Sequence, residues 1–424
     1  MWAIDHAQIR GKGAVMERFD GNFTQHEPIP DAGIEAALAV LRHGRLHRYN
    51  TAVGEIAETA LLEEDFAAYT GAKYCLAVAS GGYAMGCALR AIGVMPGEPV
   101  LTNAFTLAPV PGAIAAVGAR PIFVETTDNL TIDFKHLEEM ARKTRATVLM
   151  LSHMRGHLAD MEALIALCDR LGVRVIEDCA HTMGAAWNGL ASGRFGKVAC
   201  YSTQTYKHMN SGEGGFLTTD DPELAARAIL LSGSYMLYSR HRASPGPEVF
   251  DRIRLDVPNV SGRMDNLRAA ILRPQIAMLD DRRQRWNALY KVLESGLDGT
   301  NGLQLTQRPV AETYVASSFQ FLLPNWEQTR VRAFVAGCAS RGVELKWFGA
   351  PDPVAFTSRY EHWRYADPQP LPQTDRILSG LIDMRLPLTF SIEDAALIAR
   401  IIRSEVLRVG QAEDLTVEAV PLAD

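Results

Sequence analysis

Residues 173–185 read VRVIEDCAHTMGA. An apolar, β-branched run stops abruptly at two acids, Glu177 and Asp178, then turns through Cys179, Ala180 and His181. Continuous apolar runs of this length belong to strands covered on both faces. In an open α/β sheet the carboxyl ends of the strands border the ligand crevice, so a carboxylate there is well placed for a cofactor. Read singly, Asp178 is equally a helix N-cap or a surface acid.

Outward from this stretch, short apolar runs alternate with helical periodicity. Strands are predicted at 74–79, 99–102, 121–124, 147–152, 173–177, 198–202 and 215–218. Helices are predicted at 83–92, 110–117, 134–142, 161–171 and 222–231. Such alternation implies a mostly parallel sheet sandwiched by helices, an α/β class. Helices at 34–43 and 55–69 precede it, the RASPGPE stretch reads as an exposed loop, and a long helical pattern from Met264 to Leu297 is broken near Pro274. Beyond residue 300, a strand at 314–323 and helices at 330–341 and 392–406 suggest a smaller α+β domain. The expected organisation is an N-terminal segment 1–33, a large domain 34–280 and a small C-terminal domain 281–424.

Two further segments carry chemistry. YCLAVASGGYAMGCALRAIG, residues 74–93, is a strand, a small-residue turn Ser80-Gly81-Gly82 and a helix starting near Tyr83. Free amides at a helix N-terminus, approached through glycines, bind phosphate, although the same pattern serves any tight strand-to-helix turn. ACYSTQTYKHMNSGEGGFLTTDD, residues 199–221, ends a strand at Ser202 and sets Lys207 in a polar turn before Gly212, Gly214 and Gly215. A lysine desolvated among turns can lose its proton and attack a carbonyl, whereas most lysines are solvated surface charges.

The 424 residues carry 43 basic and 49 acidic side chains, a net charge of −6, which leaves no basic footprint for nucleic acid. The opening MWAIDHAQIRGKGAVMERFDG has no apolar signal region, and the longest apolar runs, such as 113–118, are far short of a membrane span. Six scattered cysteines with no C-x-x-C pair point to reduced, buried thiols and to no metal site. A soluble cytoplasmic protein is the expectation.

Taken together, a phosphate turn, a strand-end aspartate and a turn lysine, in that order on one α/β domain, resemble the pyridoxal 5′-phosphate enzymes of fold type I. The closer resemblance is to the DegT/DnrJ/StrS family of sugar and aminocyclitol aminotransferases, and it runs over about residues 30–410. The matching stretches are Val53 to Gly71, Ser80 to Gly82, Pro96 to Val100, Gly118 to Glu125, Glu177 to His181, Ser202 to Gly215 and Arg263 to Leu272. The fold so implied has a large domain with a seven-stranded, mostly parallel sheet and a smaller C-terminal α+β domain.

That resemblance implies a transaminase moving an amino group from an amino acid, glutamate or glutamine, to a keto-sugar, keto-cyclitol or related ketone, through the pyridoxal and pyridoxamine forms of the cofactor. Lys207 would be the Schiff-base lysine and proton shuttle. Asp178 would pair with the pyridine nitrogen, and His181 would sit by the ring face or phenolic oxygen or simply pack there. Gly81, Gly82, Tyr83 and Ser202 would hold the phosphate. The family works as a dimer with shared sites, so a homodimer is implied.

Three positions depart from the family pattern. Leu107 stands where an aromatic residue usually stacks on the ring, leaving Leu107 or Phe105 to cover it. Ser-Gly-Gly loses a threonine hydroxyl at the phosphate. Ser261, with Asn259 close by, replaces the asparagine that reaches the neighbouring subunit's phosphate. One branch of the family replaces the lysine by histidine and dehydrates, and some members were first described as regulators. A dehydratase or lyase, or a non-catalytic cofactor-binding regulator, are therefore the alternatives. A nucleotide-linked substrate would need a cationic and aromatic strip, for which Arg155, His157, Tyr235, Tyr238, Arg240 and Trp347 are candidates.

Overall fold

A computed structural model describes residues 17–417, so the first sixteen residues of the expected N-terminal segment lie outside it. The apolar runs form a seven-stranded sheet of β1 (Tyr74–Val78), β2 (Pro99–Asn103), β3 (Arg120–Val124), β4 (Val148–Ser152), β5 (Arg174–Asp178), β6 (Val198–Ser202) and β7 (Gly215–Thr219). Their spatial order is β1-β7-β6-β5-β4-β2-β3. The five strands from β3 to β6 are parallel, and β7 runs antiparallel to both of its neighbours.

Alternation along each strand sends side chains to opposite faces. Val148, Met150 and Ile176 pack under the helices Gly81–Ala91 and Pro222–Leu231. Leu149, Leu151 and Val175 face the other way, into a core continued by Leu164, Trp286, Tyr290, Phe319 and Phe321. That second core is shared with the C-terminal lobe. The lobe's sheet is β8 (Gln304–Leu305), β9 (Ser318–Leu322), β10 (Lys346–Trp347) and β11 (Leu381–Arg385), ordered β8-β9-β11-β10 and antiparallel throughout. Its long helices are Leu279–Leu297, Gln328–Ser340 and Ile392–Val417.

The break expected near Pro274 is a 3-10 stretch, Arg273–Met278, between the helices Asn266–Leu272 and Leu279–Leu297. Proline has no amide to donate and crowds the preceding turn. The RASPGPE stretch is not a plain exposed loop. The Ala243 carbonyl accepts the Cys75 amide at the sheet edge, and Pro247 opens the helix Pro247–Ile253, where its fixed φ is favourable. Strand β11 escapes sequence patterning because LIDMR carries an acid at its centre, yet Asp383 is fully buried.

Candidate active site

The carboxyl ends of β4, β5 and β6, the N-terminus of the helix Gly81–Ala91 and the inner edge of the small sheet enclose a cavity of about 680 Å³. Ser80 caps the helix, its Oγ accepting the Tyr83 amide at 3.0 Å. The helix starts against the sheet. A Cβ on Gly81 would lie 2.8 Å from Ser202 Cβ, and one on Gly215 would lie 2.5 Å from the Tyr201 carbonyl oxygen and 2.7 Å from the Gly81 amide. At Gly82 the nearest atom to an added Cβ is Ser80 Oγ, 3.8 Å away. The result is an open concavity beside the first-turn amides, with the Ser80 and Ser202 residues on its rim, which suits a phosphate.

Asp178 ends β5 with 6% of its surface exposed. It accepts Ser152 Oγ–H at 2.9 Å and the Ala180 amide at 3.2 Å, and among the described residues no cation forms an ion pair with it. A buried carboxylate without a counter-ion fits a protonated heterocyclic nitrogen. Its neighbour Glu177 points away from this arrangement. Its carboxylate takes the amides of Gly193, Phe195 and Gly196 and the ring of His153 at 3.0 Å, a closed structural network.

Lys207 Nζ lies 2.8 Å from His181 Nε2. The other imidazole nitrogen, Nδ1, faces the Arg155 amide at 3.4 Å. Burial, reinforced by Arg155 and Arg385 and opposed by Asp178, brings the Lys207 pKa down to about 8, and burial beside Lys207 pushes His181 well below the ordinary range. Above about pH 8 the pair is a neutral amine beside a neutral imidazole, and the amine is free to attack a carbonyl.

Of the residues expected at the site, Gly81, Gly82, Leu107, His181, Ser202 and Lys207 line the cavity, and Asp178 is buried at the end of the strand that feeds it. Phe105 does not cover the site, because it packs edge-on against Phe348 beneath it. Tyr83 is placed elsewhere. Its amide is taken by Ser80, its hydroxyl donates to the Leu231 and Val260 carbonyls, and its ring fills the space next to Gly262. Asn259 and Ser261 are exposed and outside this cavity, Ser261 accepting from Arg263.

His208 is held between the Met183 carbonyl and the Ser317 hydroxyl, with burial lowering its pKa to about 3. Among the residues of the suggested cationic strip, only Arg155 reaches the cavity. His157 bonds Gln320, Tyr238 stacks on Phe250, Arg240 donates to the Tyr49 carbonyl and Trp347 to Ser379. Sequence reading misses Lys346 and Arg385, which line the cavity from β10 and β11.

A family model described as the DegT/DnrJ/EryC1/StrS aminotransferase family matches residues 32–403. Over 332 residues the chain is 31% identical to a UDP-N-acetyl-3-dehydro-α-D-glucosamine 3-aminotransferase of Acidithiobacillus ferrooxidans, covering 75% of this chain and 84% of that protein. It is 36% identical over 244 residues to a pleiotropic regulatory protein of Geobacillus stearothermophilus, covering 56% of this chain and 61% of that one. Among solved structures, 3-amino-5-hydroxybenzoic acid synthase superposes with a TM-score of 0.78 at 25% identity, over 92% of this chain and 99% of its own. The chain belongs to the DegT/DnrJ/EryC1/StrS family and is an aminotransferase of the pyridoxal 5′-phosphate-dependent class.

Proposed function

We propose that this aminotransferase passes the amino group of glutamate or glutamine to a keto-sugar, keto-cyclitol or related ketone, with Lys207 as the attachment point of pyridoxal 5′-phosphate. The observation that carries this reading is the contact between Lys207 Nζ and His181 Nε2 at 2.8 Å, inside a cavity that also presents the Gly82 concavity. When bound, the cofactor supplies a carbonyl for the incoming amine and a ring that accepts negative charge from the adjoining carbon.

The chain's own residues do the rest. The first-turn amides of the helix Gly81–Ala91 and the Ser202 hydroxyl hold the phosphate, and Asp178 supplies the counter-charge to the ring nitrogen's proton. His181 orients Lys207. Once free of the cofactor, Lys207 Nζ is the base that moves the Cα proton of the amino donor. Leu107 lines the cavity and would offer the ring an aliphatic contact in place of an aromatic one. Functionally, residues 34–280 form the cofactor lobe and 281–424 the substrate-facing lobe.

The chain is further read as a homodimer. The exposure of Asn259 and Ser261 outside their own chain's cavity supports their serving a neighbouring subunit's phosphate. Work in the cytoplasm is supported by six buried cysteines, none of them in a disulfide. Among the described residues no helix is long and apolar enough to cross a membrane.

The test is the absorbance spectrum of the purified protein before and after L-glutamate or L-glutamine, beside Lys207→Ala. Loss of the lysine-bound band and growth of the pyridoxamine band in the wild type alone is the expected result. A cofactor band that no amino donor alters would count against amino transfer and favour the dehydratase or regulatory alternative.

A further inference from the structure

After β10 the chain does not turn straight back into the small sheet. Residues 350–371 cross instead to β3, the edge strand of the large sheet. There the Phe123 amide donates to Gln369 Oε1 at 2.9 Å and Gln369 Nε2 donates to the Pro121 carbonyl at 3.3 Å, so one side chain stands in for a missing neighbouring strand. Tyr360, Trp363 and Leu371 pack around Phe123 and are buried. The Tyr365 hydroxyl donates to the Ala108 carbonyl at 3.4 Å, which ties the crossing to the turn that carries Leu107.

The near end of the crossing is a tight, strained tip. Val354 and Thr357 exchange both backbone hydrogen bonds, at 3.2 and 3.0 Å, and between them Ala355 lies at φ 53°, a conformation costly to a residue with a Cβ. Next to it Phe356 lines the cavity with 42% of its surface exposed, whereas Tyr360 and Trp363 are buried. The Lys346 ammonium lies 4.0 Å from the centre of the Phe356 ring and the Arg155 guanidinium 5.6 Å, and cations at those distances hold an aromatic ring in place. A large apolar ring is thus fixed at the cavity wall with part of its surface uncovered by the chain. Such a ring takes a ligand that is itself flat and apolar on one side. The axial C–H groups of a polyhydroxylated six-membered ring make that kind of face, and an open chain such as glutamate does not.

We infer that Phe356 is a specificity-determining residue of the acceptor side of the cavity, laid against one face of a cyclic ketone. Open-chain ketones forgo that contact, and so does the amino donor. This deepens the aminotransferase reading and rests on it for the existence of a keto acceptor.

The experiment has a kinetic arm and a binding arm. In the first, the protein is loaded directly with pyridoxamine 5′-phosphate, and rapid-mixing spectra follow its discharge by 2-keto-myo-inositol, a neutral ring ketone, and by dihydroxyacetone, a neutral open-chain one. Wild type, Phe356→Ala and the ring-keeping Phe356→Tyr are compared, and amination of the pyridoxal-loaded forms by L-glutamate is recorded beside them. Phe356→Ala is expected to raise the half-saturating concentration of the ring ketone at least about tenfold, leaving dihydroxyacetone and glutamate within about twofold, and Phe356→Tyr to recover most of the loss. In the second arm, saturation-transfer NMR on the pyridoxal-loaded protein, which cannot aminate the ketone, reads magnetisation passed from the protein to the ring protons of 2-keto-myo-inositol. The signal is expected in the wild type and in Phe356→Tyr and to be lost in Phe356→Ala.

An unchanged ring ketone in Phe356→Ala, or equal losses for the ring ketone, dihydroxyacetone and glutamate, overturns the inference, because general damage to the crossing would strike all three alike. A wild type that discharges to dihydroxyacetone as readily as to the ring ketone overturns it too. If the wild type takes an amino group from no amino acid or gives one to neither ketone, the functional reading fails, and the NMR arm still decides whether Phe356 holds a ring: no transfer to the wild type's ligand, or transfer that Phe356→Ala retains, sinks the assignment.

Discussion

At Lys207 the decisive quantity is the cost of holding an ammonium in a cavity that already contains Arg155 and Arg385. Because burial brings its pKa down to about 8, the amine is protonated below that pH and free above it. Capture of pyridoxal phosphate by the cofactor-free protein is therefore expected to accelerate as pH is raised through about 8 and then level off. Stopped-flow absorbance checks this, and a rate indifferent to pH between 6 and 9 would contradict it, bounds taken as about two units below and one above that value. Asp178 is the counterpart. Asp178→Asn keeps its shape and removes the charge, and the amination half-reaction is expected to slow at least about a hundredfold with the fold intact.

Periodicity sets only the strand ends and turns on which Lys207, Asp178, His181, Ser202, Gly81 and Gly82 sit, and it is the resemblance to the family that singles these residues out as a site. Tyr83 shows the limit of that reading. It stands in the expected turn, but its side chain is drawn to two carbonyls on the far side of the helix.

Among the elements, the contact of the helix Gly81–Ala91 with β6 and β7 separates two kinds of glycine. A methyl on Gly215 meets only backbone, at 2.5 and 2.7 Å, so Gly215→Ala is expected to cost at least about 2 kcal/mol in denaturant unfolding. A methyl on Gly82 meets nothing nearer than 3.8 Å, so Gly82→Ala should unfold within about 0.5 kcal/mol of the wild type. Its methyl would nevertheless occupy the phosphate concavity. Retention of the cofactor through gel filtration should fall for Gly82→Ala while its denaturation midpoint holds. Strands β10 and β11 are invisible to patterning for an elementwise reason. Two-residue strands give no period, and a buried acid in a five-residue strand looks like a break.

Over the whole molecule, a fully buried ionic network ties the lobe together at its far edge. Glu63 takes both arms of Arg48 at 2.8 and 2.9 Å, the His241 ring at 3.1 Å and the Ala77 amide of β1 at 2.8 Å. Burial alone would raise its pKa, but Arg48 and His241 hold it well below the ordinary carboxylate range. Its contribution to stability is accordingly complete above that range and lost on acidification. Glu63→Gln strands the Arg48 charge, and a loss of about 3–5 kcal/mol is expected near neutral pH, measured by chemical denaturation. The core running from Leu149 and Leu151 through Trp286 to Phe319 and Phe321 makes a second point at this scale. A fragment of residues 281–424 would expose one side of that core to water, and its circular dichroism is expected to show no cooperative unfolding.

By itself the sequence determined the alternation of strands and helices and the order of a glycine turn, a strand-end aspartate and a turn lysine, and, through its resemblance to the family, the class of chemistry. Hydrophobic period and strand-end position are local properties, readable wherever they occur. Only the tertiary structure decided that Lys346 and Arg385, about 140 and 180 positions beyond Lys207 in the chain, share its cavity, that Phe105 is tucked under the site while Leu107 lines it, and that Asn259 and Ser261 face outward. The reason is that convergence of charges depends on how two sheets pack across a common core, which no spacing along the chain encodes.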